Sequence, residues 1–147
     1  MDKPRMKELI EQHISAEIAG DTAAAVSLYT DDVEHDVIGS PTGPVRGPAA
    51  AQGFYDQLTA DLTTEQMTPT REQYGQDFCV VEHEATAVVK GAFIGIPGNG
   101  RRVTFRMLHV WDFKGDAISR EQVWLDGAAI AAQLTAPQGD AAELAPA

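Results

Sequence analysis

The chain has 147 residues, of which 44% are hydrophobic and 22% charged, values typical of one folded domain with its own core. Its 22 acidic residues outnumber its 11 basic residues, which gives a formal net charge of −11. Nucleic acids and anionic membranes are therefore not expected partners, because both attract clusters of Lys and Arg. Cys79 is the only cysteine, so no internal disulfide can form, and without a visible signal peptide or membrane span the cytoplasm is the expected compartment.

The first part of the chain predicts three helices and a strand. Apolar residues recur at helical spacing over residues 4–19, and Gly20 is placed to end that helix. Asp21 can cap a second helix, expected from Thr22 to Tyr29. A short strand should follow over residues 33–38, and then a loop. The third helix is expected to open at Gly47-Pro48, because proline is well tolerated in a first turn.

The second part predicts strands, which alternate apolar and polar residues between glycine-rich turns. The turn cluster between residues 94 and 101 suggests that a strand over 77–94 pairs with one over 101–113 as a hairpin. The other expected elements are a weak strand over 69–74, a strand over 117–126 and a short helix over 127–134. Residues 136–147 have little to bury and are expected to be disordered.

Helices first and an antiparallel meander afterwards indicate a single α+β domain over residues 1–135. We expect its curved sheet to wrap around the N-terminal helices. No repeat and no second domain is visible in the sequence.

One strand in the second half places a histidine on an apolar face. Because a strand shows alternate residues to opposite sides, His109 shares its side with Phe105, Met107, Trp111 and Phe113. A polar group there needs a partner or a function. It is either a core histidine bonded to a neighbour or a residue that lines a pocket.

Several motifs resemble the nuclear transport factor 2-like superfamily. They are AGD at residues 19–21, LYTDDV at 28–33, and Gly47 followed by a helix with Phe54-Tyr55. Later motifs resemble its SnoaL-like polyketide cyclase branch: GxPxxGRRV from Gly95, HxWxF from His109 and GxxI from Gly115. The resemblance covers residues 4–134. It implies a cone-shaped, cystatin-like sheet around an apolar pocket, no cofactor or metal, and acid–base chemistry on a polyketide ester.

The same resemblance suggests catalytic residues. His109 matches one family histidine, and His35 matches another and shares an inward face with Val33 and Val37. The family's catalytic aspartate falls at Val123, which cannot transfer a proton. Glu121 lies two residues earlier on the same strand face and could supply the carboxylate. The other interpretation of Glu121 is an ion pair with Arg106 or Arg120.

A second alignment within the superfamily resembles ketosteroid isomerases. Asp36 would be the base before the loop at residues 39–41, with His13 and His109 as hydrogen-bonding groups. Parity opposes this alignment, because Asp36 and His35 face opposite sides unless a bulge intervenes. The alternative for His13 is a helix histidine that flanks the apolar stripe.

A third possibility is similar to dehydratases of the scytalone type, which use paired histidines on neighbouring strands. His83 and His109 could form that pair; the other interpretation of His83 is a solvated residue between two glutamates. A metal site of these two with His35 lacks any short-spaced ligand motif, so no metal is expected.

Together these features predict a cofactor-independent acid–base enzyme for a hydrophobic, polyketide- or steroid-like carbonyl compound. The alternatives are a non-catalytic small-molecule-binding or dimerisation module, and an isomerase- or dehydratase-like enzyme. Leu108, Val110 and Val88 lie on the opposite sheet face, so a homodimer through that face is expected. The residues expected to contact the ligand are His13, Tyr29, Tyr55, His83, Phe105, Met107, Trp111, Val123 and Trp124.

Overall fold

The computed structural model describes residues 1–137, so most of the tail predicted to be disordered lies outside the described residues. The helices are α1 (Lys3–Ala19), α2 (Thr22–Val26), α3 (Pro48–Asp61) and α4 (Gly127–Thr135). The strands are β1 (Tyr29–Ile38), β2 (Val45–Arg46), β3 (Leu62–Tyr74), β4 (Phe78–Val89), β5 (Ala92–Phe93), β6 (Ile96–Pro97), β7 (Arg101–Lys114) and β8 (Ala117–Leu125).

Six strands form one sheet in the order β2-β1-β8-β7-β4-β3, and β5 and β6 form a small separate hairpin. The predicted hairpin of the two long strands is confirmed as β4 and β7, which pair along their whole common length. The pairing of β1 with β8 is parallel, which differs from the fully antiparallel sheet expected. The α+β class and the curved sheet over the N-terminal helices are as predicted.

Short polar contacts set the helix ends. Asp2 accepts a hydrogen bond from the Arg5 backbone N–H at 2.9 Å, which caps α1, and Gly20 ends it with a φ of 75°. Asp21 accepts one from the Ala24 backbone N–H at 3.0 Å and caps α2, as predicted.

The second helix is shorter than expected. It ends at Val26, and Tyr29 begins β1 instead, in register with Ile118 of β8. The extended backbone carries the Tyr29 ring into the core, where the residue is 7% exposed. This long-range pairing overrides the local helical pattern.

The third and fourth strands also differ from the prediction. β3 already begins at Leu62, a start hidden in the sequence because most of its residues are polar and exposed. β4 ends at Val89 because the next two backbone N–H groups, of Lys90 and Gly91, donate to Asp61 O at 2.7 and 3.0 Å. After Val89 the chain therefore leaves the sheet and is held by hydrogen bonds to Asp61, the last residue of α3.

Two groups of buried apolar side chains hold the layers together. One lies between α1, α3, the first residues of β4 and the last residues of β7, around Trp111, Met6 and Leu9. The other lies under α4, around Ile130, Val103 and Val89. Among residues 1–137, no helix has both the length and the apolar character needed to cross a membrane.

Candidate active site

A cavity of about 470 Å³ opens between α3 and the inner face of the sheet. Most of its wall is apolar, as ligand cavities usually are. The apolar side chains include Phe54, Leu58, Phe93, Phe105, Met107 and Val123. Among its polar lining residues, four are close together: His35, Tyr55, His109 and Glu121.

Strand alternation sends these polar groups inward. On β7, residues 103, 105, 109, 111 and 113 are buried while 102, 104 and 106 are exposed. On β1, Val33 and His35 are buried. The parallel register places His35 beside Glu121, and the antiparallel register places His109 beside Val123. The inward positions predicted for His35 and His109 are therefore confirmed.

Glu121 is the centre of a buried hydrogen-bond network. Its side chain is 1% exposed, and its Oε2 atom accepts from the Tyr29 hydroxyl at 2.5 Å and lies 3.0 Å from His13 Nε2. Its Oε1 atom accepts from the Tyr55 hydroxyl at 3.3 Å and lies 3.9 Å from His109 Nε2. The expectation of an ion pair with Arg106 or Arg120 is wrong.

Both arginines lie on the outer side of the sheet. Arg120 Nε is 3.3 Å from a carboxylate oxygen of Glu34, and Arg106 is 4.0 Å from Asp126. Arg120 is the neighbour of Glu121 on β8, so alternation alone sends the two side chains to opposite faces.

His13 balances the charge of this carboxylate. Burial alone would lower the pKa of His13, but the charge of Glu121 and the hydrogen bond to it raise that pKa to about 9. Burial alone would raise the pKa of Glu121, but His13 brings it below its usual range. His13 Nδ1 is 3.0 Å from the Ala25 carbonyl oxygen, so both ring nitrogens have partners for a proton. The site therefore holds an imidazolium–carboxylate pair at neutral pH.

The other histidines are neutral. Burial lowers the pKa of His109 to about 3 and that of His83 to about 4, and it also lowers the pKa of His35. The Nδ1 atoms of His83 and His109 are 3.1 Å apart, so they share one hydrogen bond. His109 stacks on Trp111 with ring centroids 4.5 Å apart and an angle of 3°. The expectation of a solvated His83 is wrong, since it is 2% exposed.

Tyr55 links the carboxylate to His35. Its hydroxyl oxygen lies 3.1 Å from His35 Nε2, from His13 Nε2 and from the Tyr29 hydroxyl. Burial raises the pKa of both tyrosines well above the ordinary value, so the phenols keep their protons. They are hydrogen-bond donors to Glu121 and not bases.

The residues predicted to contact a ligand fall into three groups. Tyr55, Phe105, Met107 and Val123 line the cavity. Behind its wall, buried but not lining it, are His13, Tyr29, His83 and Trp111. Trp124 is 48% exposed on the outer face of the sheet, so its predicted place in the pocket is wrong.

Asp36 also lies outside the cavity. Its nearest polar partner is Gln122 on the outer face, at 3.5 Å from the amide nitrogen to a carboxylate oxygen. No bulge occurs between residues 34 and 38, because the register with β8 is continuous there. The alignment in which Asp36 is the base is therefore not supported by its position.

Glu17 is a residue that the sequence interpretation did not propose for the site. It lies one helical turn after His13, is half-buried and lines the cavity. Burial raises the pKa of its carboxyl to about 7. Its position on the apolar stripe of α1, four residues after His13, was the signal available.

Within residues 1–137, no cluster of three His, Cys, Asp or Glu side chains is arranged to hold a metal ion. Three carboxylates line the cavity, those of Glu17, Asp61 and Glu121, whereas no Lys or Arg of the described residues does.

The fold and this site can now be compared with known proteins. The family model described as "SnoaL-like domain" matches residues 10–121. A candidate polyketide cyclase from Xanthomonas campestris pv. campestris is 18% identical, with a TM-score of 0.80 over 90% of this chain and 98% of its own. A comparison with curated proteins finds no match.

Two further structures show how varied this fold is. A protein with a ketosteroid isomerase-like fold from Catenulispora acidiphila is 17% identical, with a TM-score of 0.74 over 95% of this chain and 98% of its own. An LEH-like epoxide hydrolase from M. tuberculosis is 12% identical, with a TM-score of 0.68 over 86% of each chain. At these identities the likeness establishes the nuclear transport factor 2-like fold and not an activity. The sequence match over most of the folded part shows that this chain belongs to the SnoaL-like domain family.

Proposed function

We propose that this protein is a cofactor-independent acid–base enzyme that acts on a hydrophobic carbonyl compound. The observation that carries the proposal is the buried carboxylate of Glu121 beside His109 at the wall of an apolar cavity. Glu121 takes the place of the acid that is missing at Val123, two residues along the same face of β8.

The two groups can act together on a proton next to a carbonyl. The 3.9 Å between His109 Nε2 and Glu121 Oε1 is too long for a hydrogen bond, so each atom can make one to a ligand. In the tautomer whose Nε2 carries no proton, His109 can accept that proton, and the nearby Glu121 anion stabilises the protonated nitrogen. His35 lines the same cavity, and its ring N–H is the donor available to the carbonyl oxygen, because the single hydroxyl proton of Tyr55 is donated to Glu121.

The lining also restricts the substrate. With three carboxylates and no Lys or Arg of the described residues at its wall, the cavity disfavours a carboxylate or phosphate ligand. A neutral ester, ketone or aldehyde with an apolar skeleton fits the volume and the wall. Cyclisation by aldol addition, isomerisation and elimination of a β-hydroxyl all begin with an α-proton, so one assay covers them.

The second candidate function is a non-catalytic small-molecule-binding module. It is favoured by the hydrogen bonds to Glu121, because a carboxylate with a lowered pKa and three donors is a weak base. In this case the same cavity would bind the hydrophobic compound without changing it.

The test is deuterium exchange at the α-carbon of 2-tetralone in D2O, followed by NMR. We expect wild-type protein to exceed the buffer rate, and both His109→Ala and Glu121→Gln to lose about 10²-fold or more of the enzymatic rate. Asp36→Asn is the matched control and should exchange as fast as wild type, since that carboxylate lies outside the cavity.

Circular dichroism must show that each variant is folded. Binding of 2-tetralone without exchange above the buffer rate would favour the binding module. Exchange that persists unchanged in both His109→Ala and Glu121→Gln would contradict the proposed chemistry.

A further inference from the structure

A groove of about 260 Å³, separate from the cavity, is lined by His83. It runs between α1 and the strands β3 and β4, and Lys7, Glu11 and Ser15 at its rim are exposed. Lys7 Nζ lies 3.8 Å from Glu72 and 4.0 Å from Glu11, so charged groups surround the opening. The groove therefore has a charged, exposed rim, although most of its wall is apolar.

The two histidines of the hydrogen-bonded pair face different spaces. His83 lines the groove and not the cavity, whereas His109 lines the cavity and not the groove. Their Nδ1 atoms are 3.1 Å apart, and the rings are nearly perpendicular, at 86°. The pair thus crosses the wall between the cavity and the groove through a single hydrogen bond.

The proton count of this pair has a direct consequence. Two neutral imidazoles carry two N–H protons, and one of them must occupy the Nδ1–Nδ1 hydrogen bond. The other lies either on His109 Nε2, where it faces the cavity, or on His83 Nε2, on the groove side. The cavity therefore meets an acid in the first state and a lone pair, which is a base, in the second.

We propose that His83 and His109 form a one-proton relay between the groove and the cavity. This inference deepens the proposed function and rests on it. When His109 gives its Nε2 proton to a ligand atom, its Nδ1 takes the shared proton from His83 Nδ1. His83 Nε2 then takes a proton from solvent in the groove, so both rings stay neutral. The reverse sequence removes a proton from the ligand and releases one to the groove.

Glu121 biases this relay toward the cavity side. Its anion lies 3.9 Å from His109 Nε2 and favours the state in which that nitrogen carries the proton. The stacked Trp111 ring holds the imidazole of His109 with its Nε2 atom toward Glu121. His83 is thus a positioning and relay residue that acts through His109.

The first experiment measures 2-tetralone exchange in His83→Gln. Glutamine keeps a hydrogen-bonding group next to His109 Nδ1 but cannot pass a proton on, so we expect a loss of about 10-fold or more. Wild-type exchange that is matched by this variant would overturn the relay and leave the proposed function in place.

Chemical rescue separates a relay from a merely structural role. In His83→Ala, imidazole added to the solution can enter the vacated groove and should restore exchange. Pyrazole has a similar shape but is a far weaker base, so it should not. Equal rescue by both, or by neither, would overturn the relay, and this comparison also decides the matter if His83→Gln does not fold.

A tautomer measurement covers the case in which wild-type protein shows no exchange and the proposed function fails. The ¹⁵N chemical shifts of the two ring nitrogens of His109 should then lie between the values of the two neutral tautomers, because the relay exchanges one tautomer for the other. A single fixed tautomer on both rings would overturn the relay without reference to activity.

Discussion

At the scale of single residues, the site depends on how a buried carboxylate is kept charged. Glu121 has three donors, and His13 supplies the only one of them with a positive charge, at 3.0 Å. Removing one partner from such a buried pair leaves an uncompensated buried charge, which lowers the stability of the fold strongly. Replacing both partners lowers it less. The pair is therefore best tested by variants that neutralise both partners.

The His13–Glu121 pair should make stability depend on pH on the alkaline side. Folded His13 has a pKa of about 9, whereas the unfolded residue titrates near 6.5. Its contribution is fully present below about pH 6.5 and is lost as the pH rises through about 9. Urea unfolding between about pH 7.5 and 8.5 should show the free energy falling by up to about 1.4 kcal/mol per pH unit.

The matched control for this prediction is the double variant His13→Gln with Glu121→Gln. It keeps the volume and some hydrogen bonds but removes both charges. Its stability should be nearly independent of pH over the same interval. An equal slope in wild type and double variant would show that another group causes the dependence.

At the scale of elements, one glutamine attaches α4 to the sheet. β7 extends beyond the end of β8, and the Gln133 side chain takes the place of the missing strand neighbour. Its Oε1 accepts from Thr104 N–H at 2.9 Å, and its Nε2 donates to Thr104 O at 2.8 Å. Arg101 also donates to the Leu134 carbonyl oxygen at 2.5 Å and fixes the end of the helix.

We expect Gln133→Ala to lower the free energy of unfolding by about 1–3 kcal/mol, because two backbone groups of β7 lose their partner. Urea unfolding followed by circular dichroism measures the change. Gln12→Ala is the control, since this exposed glutamine is hydrogen-bonded to Glu8 within its own helix, at 3.3 Å. Equal losses in the two variants would contradict the docking role of Gln133.

At the scale of the whole molecule, the outer face of the sheet carries an apolar patch. Trp124 and Phe78 are 48% and 47% exposed, and Leu108 lies beside Trp124 in register. Val80 and Val110 form the next pair across β4 and β7. Contiguous exposed apolar patches of this kind typically mark surfaces that bind another protein.

We therefore expect a homodimer through this face, in line with the sequence prediction. Analytical ultracentrifugation at micromolar concentration should give about twice the 15.8 kDa of one chain. Leu108→Glu combined with Trp124→Glu should give monomers, because charges would then oppose each other across the interface. Gln12→Glu on α1 is the control and should remain dimeric, and a monomeric wild type would contradict the interface.

The sequence by itself determined the features that depend on local periodicity. Alternation along β1 and β7 sufficed to place His35 and His109 on the inner face, since side-chain direction in a strand follows from the backbone alone. The same rule placed Asp36 outside and put Glu121 on the face of Val123. Applied to Arg120, the same rule argues against the ion pair with Glu121 that the sequence analysis had left open.

Only the tertiary structure decided which of these groups meet. His13, Tyr29, Tyr55 and Glu121 come from four different elements, and Glu121 and Tyr29 are 92 positions apart. The parallel register of β1 with β8 and the packing of α3 bring them within hydrogen-bond distance. The sequence left two interpretations of His83 open, a solvated residue between two glutamates and a partner of His109, and the pairing of β4 with β7 decides for the partner. Local pattern fixes the direction of a side chain, but register and packing, which join distant parts of the chain, fix its partner.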